Sequence, residues 1–539
     1  MRYLLPRLHN TGKYEIAEHA TYIDPNHPEI ENVPWAVFPN MPDPRDRKGQ
    51  DLYKQNRFNQ FGAWKFEEVC LKWRPDIVID IRDAWMSSFI FKSPYRKYFK
   101  FIHMPTCDGE PQKPEWLDMY TGADRILTYS HWAKRVLESS SGGRIQVFDV
   151  GSPCPDIEEF KPVDKAATRS KLGLKPDSFI VQTVMRNQPR KLYPELFKAF
   201  ARFLELCKER NRDDIAAKTF LHCHTSHPDL GWDLPIELRR YGISHKVLFT
   251  YLCDHCKSCY VTFFNQEVSP CRACGNITAG LPNTVRGVDR PDLAKIMGMA
   301  DLYIQYSVAE GWAMPIGDAK ACGVPIMAMT NSAMIEQAYA PGGIPIQVQR
   351  LHQESLAGTN QWRALPDIED TAEKMFAFFT APQEHRDALG KEARQLCETH
   401  YNWDLMAKVW EEAIDTLEVP LPTETWLSNP KLTRPNMQIP PNLSHEQFVE
   451  WCFRNILNEP LTANAEFAQK AIASLHVGYE PGQDQEGHPI KVPVNRDTVL
   501  NHMMHTINHR NQMEMIRYNT LVAAQHQKVE PGAVNYVEV

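Results

Sequence analysis

Two acidic residues, Glu310 and Asp318, lie eight positions apart at a predicted strand-to-helix junction. The apolar segment ADLYIQY (300–306) predicts a short buried strand, and IGDAKAC (316–322) has helical character that Gly323 ends. Glu310 then lies at the carboxyl end of a strand, and Asp318 lies in the first turns of the next helix. In an open α/β sheet ligands bind at that edge, where a helix N-terminus favours an anion. The pair predicts a site for a ligand that carries both hydroxyl groups and phosphate.

A run of cysteines forms a second group of chemically active residues, with two C-x2-C pairs in one short stretch. The pairs are Cys256–Cys259 and Cys271–Cys274. Four thiolates at about 2.3 Å from a tetrahedral metal make a closed, structural zinc site. A pair formed by Cys253 and Cys256 is the alternative to the first pair. The stretch interrupts the α/β pattern, so it predicts an inserted zinc ribbon with a structural Zn²⁺ rather than disulfide bonds.

These residues must be positioned by elements that alternate between strand and helix along most of the chain. Segments such as DIVIDIRD (76–83) and SFIVQTVMR (178–186) predict strands, and LYPELFKAFARFLELCKER (192–210) predicts a long amphipathic helix. Such alternation predicts an α/β fold with parallel sheets in two Rossmann-like domains that face a cleft. The predicted parts are a first Rossmann-like domain (1–160), a second Rossmann-like domain (161–418), the zinc ribbon (250–280), a proline-rich linker (419–442) and a mainly helical module (443–539).

Composition excludes several classes of protein. The chain has 539 residues, 43% of them hydrophobic and 24% charged, which is an ordinary globular balance. A net charge of −7 argues against a uniformly basic surface. No apolar run of membrane-spanning length and no signal peptide are visible, so we expect no transmembrane segment. Thirteen cysteines without a secretory signal are typical of a reducing compartment, and we expect the protein to be cytoplasmic.

Four motifs in order along residues 1–415 resemble glycosyltransferase family 4, whose members have the GT-B fold. The family signature E-x7-E lies in a pattern close to EGFG…EA…G.P, and here reads Glu310-Gly311-Trp312-Ala313, Asp318-Ala319 and Cys322-Gly323-Val324-Pro325. VMRNQPRK supplies the family's arginine and lysine as Arg186 and Lys191. ADRILTYSHWAKRVL and HYNWDLMAKVWEEAI are similar to two further family segments. Asp318 departs from the family pattern, which has glutamate at that position.

The resemblance implies a retaining transferase that moves a sugar from a nucleotide-sugar donor to an acceptor hydroxyl. It implies that Glu310 and Gly311 bind the donor sugar and that Asp318 accepts the ribose hydroxyls. Arg186 and Lys191 would neutralise the departing diphosphate, with no catalytic metal expected. A surface pair beside a turn is the alternative for these two cations.

The resemblance also implies that the first domain supplies the acceptor side. His103 lies where such enzymes often carry a functional histidine, so we expect it to be catalytic, with a buried structural histidine as the alternative. Asp108 is a second candidate in the same loop. Arg96 and Lys97 belong to FKSPYRKYFKF (91–101), where basic and aromatic residues alternate. Such a segment suits phosphate contacts and base stacking, with a solvated basic face as the alternative.

The acceptor follows less directly from the residues. A modified DNA base is one candidate, since some relatives with this arrangement resemble those of bacterial viruses; the location would then be the cytoplasm of an infected bacterium. A glycan is the other. The chain begins with a segment similar to the family's first helix and second strand, without the usual first strand. An inactive relative that binds nucleotide sugars or nucleic acid is therefore the alternative function.

Overall fold

Strands and helices alternate along most of the chain, and the fold is α/β as predicted. The computed structural model describes residues 2–283, 285–355, 358–483 and 489–526. The strands are β1 Ala17–Ala20, β2 Ala36–Pro39, β3 Ile77–Asp80, β4 Lys100–His103, β5 Arg125–Thr128, β6 Val147–Val150, β7 Phe179–Val184, β8 Thr219–His224, β9 Val247–Cys253, β10 Cys259–Phe263, β11 Val268–Pro270, β12 Ile277–Gly280, β13 Leu302–Gln305, β14 Ile326–Met329, β15 Gly343–Ile346, β16 Val348–Gln353, β17 Trp362–Pro366, β18 Tyr479–Gln483 and β19 Pro489–Pro493.

Helices connect most of these strands. They are α1 Leu4–Asn10, α2 Arg47–Gln55, α3 Phe66–Trp73, α4 Ala84–Lys92, α5 Pro114–Tyr120, α6 His131–Ser140, α7 Lys165–Lys171, α8 Tyr193–Glu209, α9 Asp213–Lys218, α10 Leu234–Arg240, α11 Arg290–Gly298, α12 Met314–Ala321, α13 Met334–Tyr339, α14 Ile368–Thr380, α15 Gln383–Thr399, α16 Trp403–Asp415, α17 His445–Cys452, α18 Ala465–Val477 and α19 Arg496–His526. Among the described residues, no helix is both long and apolar enough to cross a membrane.

The chain forms two compact units, and neither is continuous in sequence. Unit 1 comprises Met1–Tyr14, Met104–Lys113 and Ile126–Asp415. Unit 2 comprises Glu15–His103, Pro114–Arg125 and Thr416–Val539. None of these limits falls at residue 160, where the sequence predicts the division between domains, and that division stays a prediction.

Unit 1 is built on a large sheet with a parallel centre. The order β9-β8-β7-β13-β14-β15 is parallel throughout, while β10 and β12 pair antiparallel with β9. Strand order therefore runs 3-2-1-4-5-6 and reverses between β7 and β13, as in a doubly wound Rossmann sheet. The antiparallel strands β10–β12 are the predicted insertion, and they extend the sheet at its β9 edge.

Helix α8 shows how the sequence builds this core. Its apolar residues recur at three- and four-residue spacing, and Leu196, Phe200 and Phe203 are fully buried. Burying one such side chain contributes about 1.5–3 kcal/mol, so this face fixes the helix against the sheet. The predicted helix over 192–210 is confirmed.

Unit 2 contains the parallel pairs β1–β2 and β3–β4 and the helical module of α17, α18 and α19. The predicted linker, residues 419–442, has no helix or strand but is not free along its length. Trp426 is 2% exposed and packs among Phe66, Tyr95, Tyr98 and Phe99. The buried indole is therefore one of the contacts that anchor the linker in unit 2.

Candidate functional site

Glu310 lies at the carboxyl edge of the unit 1 sheet, between β13 and α12. Its side chain is buried, and its backbone N–H donates to Ser332 Oγ at 3.0 Å. Strand β13 pairs with β7 at the point where strand order reverses. Loops separate at such a reversal and leave a crevice that ligands occupy. The structure thus places Glu310 where the sequence predicts it.

Two cations from the loop after β7 pair with the Glu310 carboxylate. Lys191 Nζ contacts Glu310 Oε1, and Arg190 Nη1 lies 3.1 Å from Glu310 Oε2. Gln305 Nε2 donates to the same carboxylate at 3.3 Å. A short 3-10 turn just before α8 carries both cations. We call Glu310, Lys191 and Arg190 the charge cluster.

The charge cluster joins one acidic side chain to two basic ones, a formal net charge of plus one. Burial alone would raise the pKa of the Glu310 carboxyl, but Lys191 and Arg190 hold that pKa below its usual value. Burial lowers the pKa of the Lys191 ammonium, and the Glu310 carboxylate offsets part of that change. A buried charge without a partner costs several kcal/mol, so each group stabilises the ionised form of the other. An anionic ligand could therefore form an ion pair with Lys191 or Arg190 in place of Glu310.

A loop of unit 1, residues 104–113, approaches the residue next to Glu310. A Cβ atom on Gly311 would lie 2.8 Å from Thr106 Cγ2 and 3.5 Å from Tyr129 Cδ2. A larger residue would clash with Thr106 here, so packing alone accounts for the glycine at position 311. The predicted contact between Gly311 and a donor stays a prediction.

The same loop carries Asp108, whose position is set by the β16–β17 hairpin. Arg363 is buried, and its Nη1 lies 3.4 Å from Asp108 Oδ1, while its Nε lies 3.1 Å from Glu354 Oε1. The backbone N–H of Trp362 donates to the Glu110 carbonyl at 2.8 Å. The negative charge of Asp108 raises the Lys191 pKa, so this predicted acceptor-side residue is within electrostatic range of the charge cluster.

Arg186 lies apart from the charge cluster. Its guanidinium is partly exposed and pairs with Asp229 at 2.8 and 2.9 Å. This pairing and a hydrogen bond from Ser226 hold the Asp229 pKa well below its usual value. The arginine that the structure brings to Glu310 is Arg190, which the sequence analysis missed although it stands next to Lys191. The predicted diphosphate contact of Arg186 stays a prediction.

Asp318 is the fifth residue of α12 and is partly buried. Burial raises the pKa of its carboxyl to about 7, with Arg290 opposing the shift and Glu159 adding to it. Arg290 itself pairs with Glu159 at 2.7 Å. Within the part of the chain that the structure describes, the Asp318 carboxyl makes no hydrogen bond, so its oxygens can accept one from a ligand.

His103 ends β4 in unit 2, and its imidazole is fully buried. The rings of Phe91, Phe101 and Tyr120 have centroids within 5.5 Å of it. Its Nδ1 lies 3.5 Å from Asp80 Oδ2, a long contact. This environment favours the structural alternative, since a fully buried ring offers no surface to a substrate. The predicted catalytic role of His103 gains no support from its position.

Arg96 and Lys97 are used within unit 2. Arg96 donates to Asp124 at 2.6 Å, and Lys97 pairs with Glu514 of α19 at 2.5 Å. The neighbouring aromatic rings of the segment, Tyr95, Tyr98 and Phe99, are buried. Tyr95 and Tyr98 contact α19 and Trp426, which gives no support to base stacking, and the predicted acceptor-side role of Arg96 and Lys97 stays a prediction.

The cysteine cluster differs from the predicted set by one residue. The sulfur atoms that lie within 4.8 Å of one another belong to Cys253, Cys256, Cys271 and Cys274. Cys253 ends β9 and Cys256 lies in the following turn, so the alternative first pair is the one that the structure forms. Cys259 already belongs to β10, where it pairs with Leu252, and burial near Asp289 and Asp292 raises its pKa to about 12.

The spacing of the four sulfur atoms fits a tetrahedral metal. The Sγ atoms of Cys253 and Cys274 are 3.7 Å apart, as are those of Cys256 and Cys271. Ligands at about 2.3 Å from a tetrahedral zinc are about 3.8 Å from one another. A disulfide would require about 2.05 Å. The cluster can therefore hold a metal ion without rearrangement.

Comparisons with known proteins agree with these features. The chain is 25% identical over 309 residues to the D-inositol 3-phosphate glycosyltransferase of Kribbella flavida, covering 56% of this chain and 59% of that protein. It is 26% identical over 227 residues to the enzyme of the same name from Mycobacterium sp. (strain KMS), covering 42% and 39%. The chain thus spans less than two thirds of the length of these relatives. No protein-family profile matches it.

A solved structure supports the same assignment at the level of fold. Sucrose-phosphate synthase from Thermosynechococcus elongatus has a TM-score of 0.50 and 16% identity, covering 75% of this chain and 90% of that one. That likeness identifies the fold as GT-B, as the sequence resemblance implies. By fold the chain is GT-B, and in sequence it is similar to curated glycosyltransferases.

Proposed function

We propose that the protein is a retaining glycosyltransferase that moves a sugar from a nucleotide-sugar donor to an acceptor hydroxyl. The observation that carries the proposal is the charge cluster at the carboxyl edge of β13, where the buried Glu310 carboxylate pairs with the buried Lys191 and with the partly exposed Arg190. The names of the curated relatives favour the same class of reaction.

The cations serve the leaving group. When the bond between the sugar carbon and the diphosphate oxygen breaks, negative charge collects on the diphosphate. Lys191 would meet that charge from a buried position, where such contacts are strongest, and Arg190 would meet it from the partly exposed side of the cluster. We propose that this replaces a catalytic metal ion. The acceptor oxygen forms the new bond to the sugar carbon, and its proton leaves with the diphosphate.

The acids serve the donor's hydroxyl groups. Glu310 is ionised and accepts hydrogen bonds, so it suits the sugar hydroxyls, and Asp318 suits the ribose through its free carboxyl oxygens. Both roles follow the resemblance of the segment from Glu310 to Pro325.

We propose a glycan or other polyol hydroxyl as the acceptor, rather than a DNA base. The aromatic rings that would stack on bases are buried in unit 2. The curated relatives are named for a phosphorylated inositol, which is a polyol.

The test compares Glu310→Gln with Glu392→Gln, a matched change at an exposed position on α15. Each protein is incubated with uridine- and guanosine-diphosphate sugars, and donor hydrolysis and thermal stabilisation are followed. We expect one donor to stabilise and be hydrolysed by the unaltered protein and by Glu392→Gln. We expect Glu310→Gln to lose about 100-fold or more in rate, the scale of losing one key charged contact in a transition state.

Equal rates in both variants would remove Glu310 from the site. Stabilisation without hydrolysis or transfer in the unaltered protein would instead favour the alternative of an inactive relative that binds nucleotide sugars.

We also propose that Cys253, Cys256, Cys271 and Cys274 hold a structural Zn²⁺. The sulfur spacing supports this, and four cysteine ligands leave no open position for catalysis. The ion would tie the turn after β9 to the turn between β11 and β12.

A further inference from the structure

A pocket of about 490 Å³ lies in unit 2 beside the segment PKLTRP (430–435). Its walls come from three parts of the unit: Lys97, residues 431–434, and two asparagines beyond α17, Asn455 and Asn458. None of these lining residues is acidic, and Lys97, Lys431 and Arg434 are cations. The pocket therefore offers positive charge from two separate segments of the chain.

The backbone that carries two of these cations is fixed. Thr433 N–H donates to Asn511 Oδ1 at 2.8 Å, and Asn511 Nδ2 donates back to the Thr433 carbonyl at 2.9 Å. Asn436 N–H donates to the Asn455 carbonyl at 3.0 Å. Proline on either side restricts the segment further. A fixed wall loses little conformational entropy when a ligand binds.

Glu514, which accepts a hydrogen bond from the Lys431 backbone N–H at 3.4 Å, does not neutralise the Lys431 and Arg434 side chains. Glu514 already pairs with Lys97 at 2.5 Å and with Arg517 at 3.1 Å. It also accepts a hydrogen bond from Tyr98. Among the described residues, Lys431 and Arg434 form no ion pair, so the pocket keeps two uncompensated positive charges.

We propose that this pocket binds the phosphate group of a phosphorylated small molecule the size of a sugar phosphate. A phosphate monoester carries close to two negative charges at neutral pH, which matches Lys431 and Arg434. The Thr433 hydroxyl and the Asn458 amide add neutral donors. The volume lies within the range of small-molecule pockets and exceeds what a phosphate alone would fill.

The shape of the site disfavours a nucleic acid. A strand requires a track of several phosphate contacts with exposed rings between them. Here the cations converge on one pocket, and the adjacent rings of Tyr95 and Tyr98 are buried. The pocket shares no residue with the charge cluster, because every lining residue belongs to unit 2.

The experiment is isothermal titration calorimetry of the full chain with glucose 6-phosphate, inorganic phosphate and glucose. We expect both phosphates to bind and glucose not to bind. The double variant Lys431→Gln/Arg434→Gln should weaken binding of glucose 6-phosphate by about tenfold or more, because two charge-assisted contacts are lost. The control Arg47→Gln/Lys54→Gln removes the same charge from exposed positions on α2 and should leave affinity unchanged.

Equal affinity in the two double variants would place the anion elsewhere and overturn the proposal, as would the absence of binding by either phosphate. We expect all variants to fold, because the four substituted positions are exposed, and circular dichroism checks this. The same titration is made with a single-stranded oligonucleotide. If it binds more tightly than glucose 6-phosphate and loses affinity in the Lys431→Gln/Arg434→Gln variant, the ligand of the pocket is a nucleic acid, and the proposal of a small molecule is overturned.

Discussion

At the residue scale, the ribose role that we propose for Asp318 would make donor binding depend on pH. Its pKa of about 7 means that the carboxyl is protonated in weak acid and ionised above neutrality. Only the ionised form accepts hydrogen bonds with both oxygens, so we expect donor affinity to rise from about pH 6 to about pH 8. In Asp318→Asn affinity should be weaker and independent of pH. Titration of the donor at several pH values measures both, and a flat profile in the unaltered protein would contradict the ribose role.

Lys320 is a buried basic residue that forms no ion pair with any carboxylate in the described part of the chain. Its ammonium is fully buried on α12 and donates to the Gln337 carbonyl at 3.0 Å, and burial lowers its pKa to about 8. The folded state therefore holds this proton less tightly than the unfolded chain does. The resulting penalty is complete below pH 8 and disappears as the pH rises towards the unfolded value near 10.5.

Lys320→Met should therefore stabilise the protein by about 2–3 kcal/mol at pH 7, with a smaller gain near pH 10. Thermal unfolding of both proteins at the two pH values measures the difference. Lys408→Met, at an exposed position of α16, is the control and should change little. A gain that stays the same at both pH values would show that packing rather than charge is responsible.

Single residues also show where sequence reasoning succeeds. Glu310 could be placed because a short apolar run before it and a helix after it define a strand end. Arg186 and Arg190 could not be separated in that way, since both are arginines of one loop. The 3-10 turn and the left-handed conformation of Leu192 (φ 50°) decide which one reaches Glu310. Such a conformation depends on packing around the loop rather than on spacing.

At the scale of elements, the cysteine ribbon has the same ambiguity. Cys256 has a cysteine three residues before it and another three residues after it, so the pattern allows two pairs. The end of β9 decides between them: Cys253 lies at that end, whereas Cys259 is fixed in β10 opposite Leu252. The ends of a strand are set by pairing across the sheet, and the spacing of the cysteines in the sequence carries no information about that pairing.

The assignment of Cys253 rather than Cys259 to the metal site predicts different zinc contents for two matched variants. We expect Cys253→Ser to lose bound zinc and to lower the unfolding temperature, because one thiolate ligand is removed. Cys259→Ser should keep one equivalent of zinc. Metal analysis of the purified proteins and their thermal unfolding measure this. Zinc lost from Cys259→Ser and retained in Cys253→Ser would restore the predicted set, and no zinc in the unaltered protein would remove the proposal.

At the scale of the whole molecule, long-range contacts decide what the basic and aromatic segment does. Tyr95 and Tyr98 pack against Trp426, and Tyr98 also bonds to Glu514, 416 positions along the chain. The alternation of basic and aromatic residues in 91–101 does not indicate that Trp426 and Glu514 are their partners. The α/β class and the alternation of strands with helices could be predicted from local periodicity, but the surface that α19 covers could not.

Trp426→Ala tests this anchor. The indole is buried, and its Nε1–H donates to the Pro75 carbonyl at 2.9 Å. Its removal should destabilise unit 2 by about 3–5 kcal/mol, the usual loss for a buried tryptophan. Hydrogen exchange of α19 measures the effect, with Leu427→Ala, an exposed neighbour, as the control. Unchanged protection of α19 would show that its other contacts suffice.

The discontinuity of unit 2 has a consequence for how the protein is made. On the ribosome, Tyr98 emerges 416 positions before Glu514, its partner in the folded unit. At synthesis rates of about 5–20 residues per second, the nascent chain spends roughly 20 to 80 s with this aromatic surface uncovered. Molecular chaperones that shield apolar surface during translation should therefore govern the yield of folded protein, and slower translation should increase the demand for them.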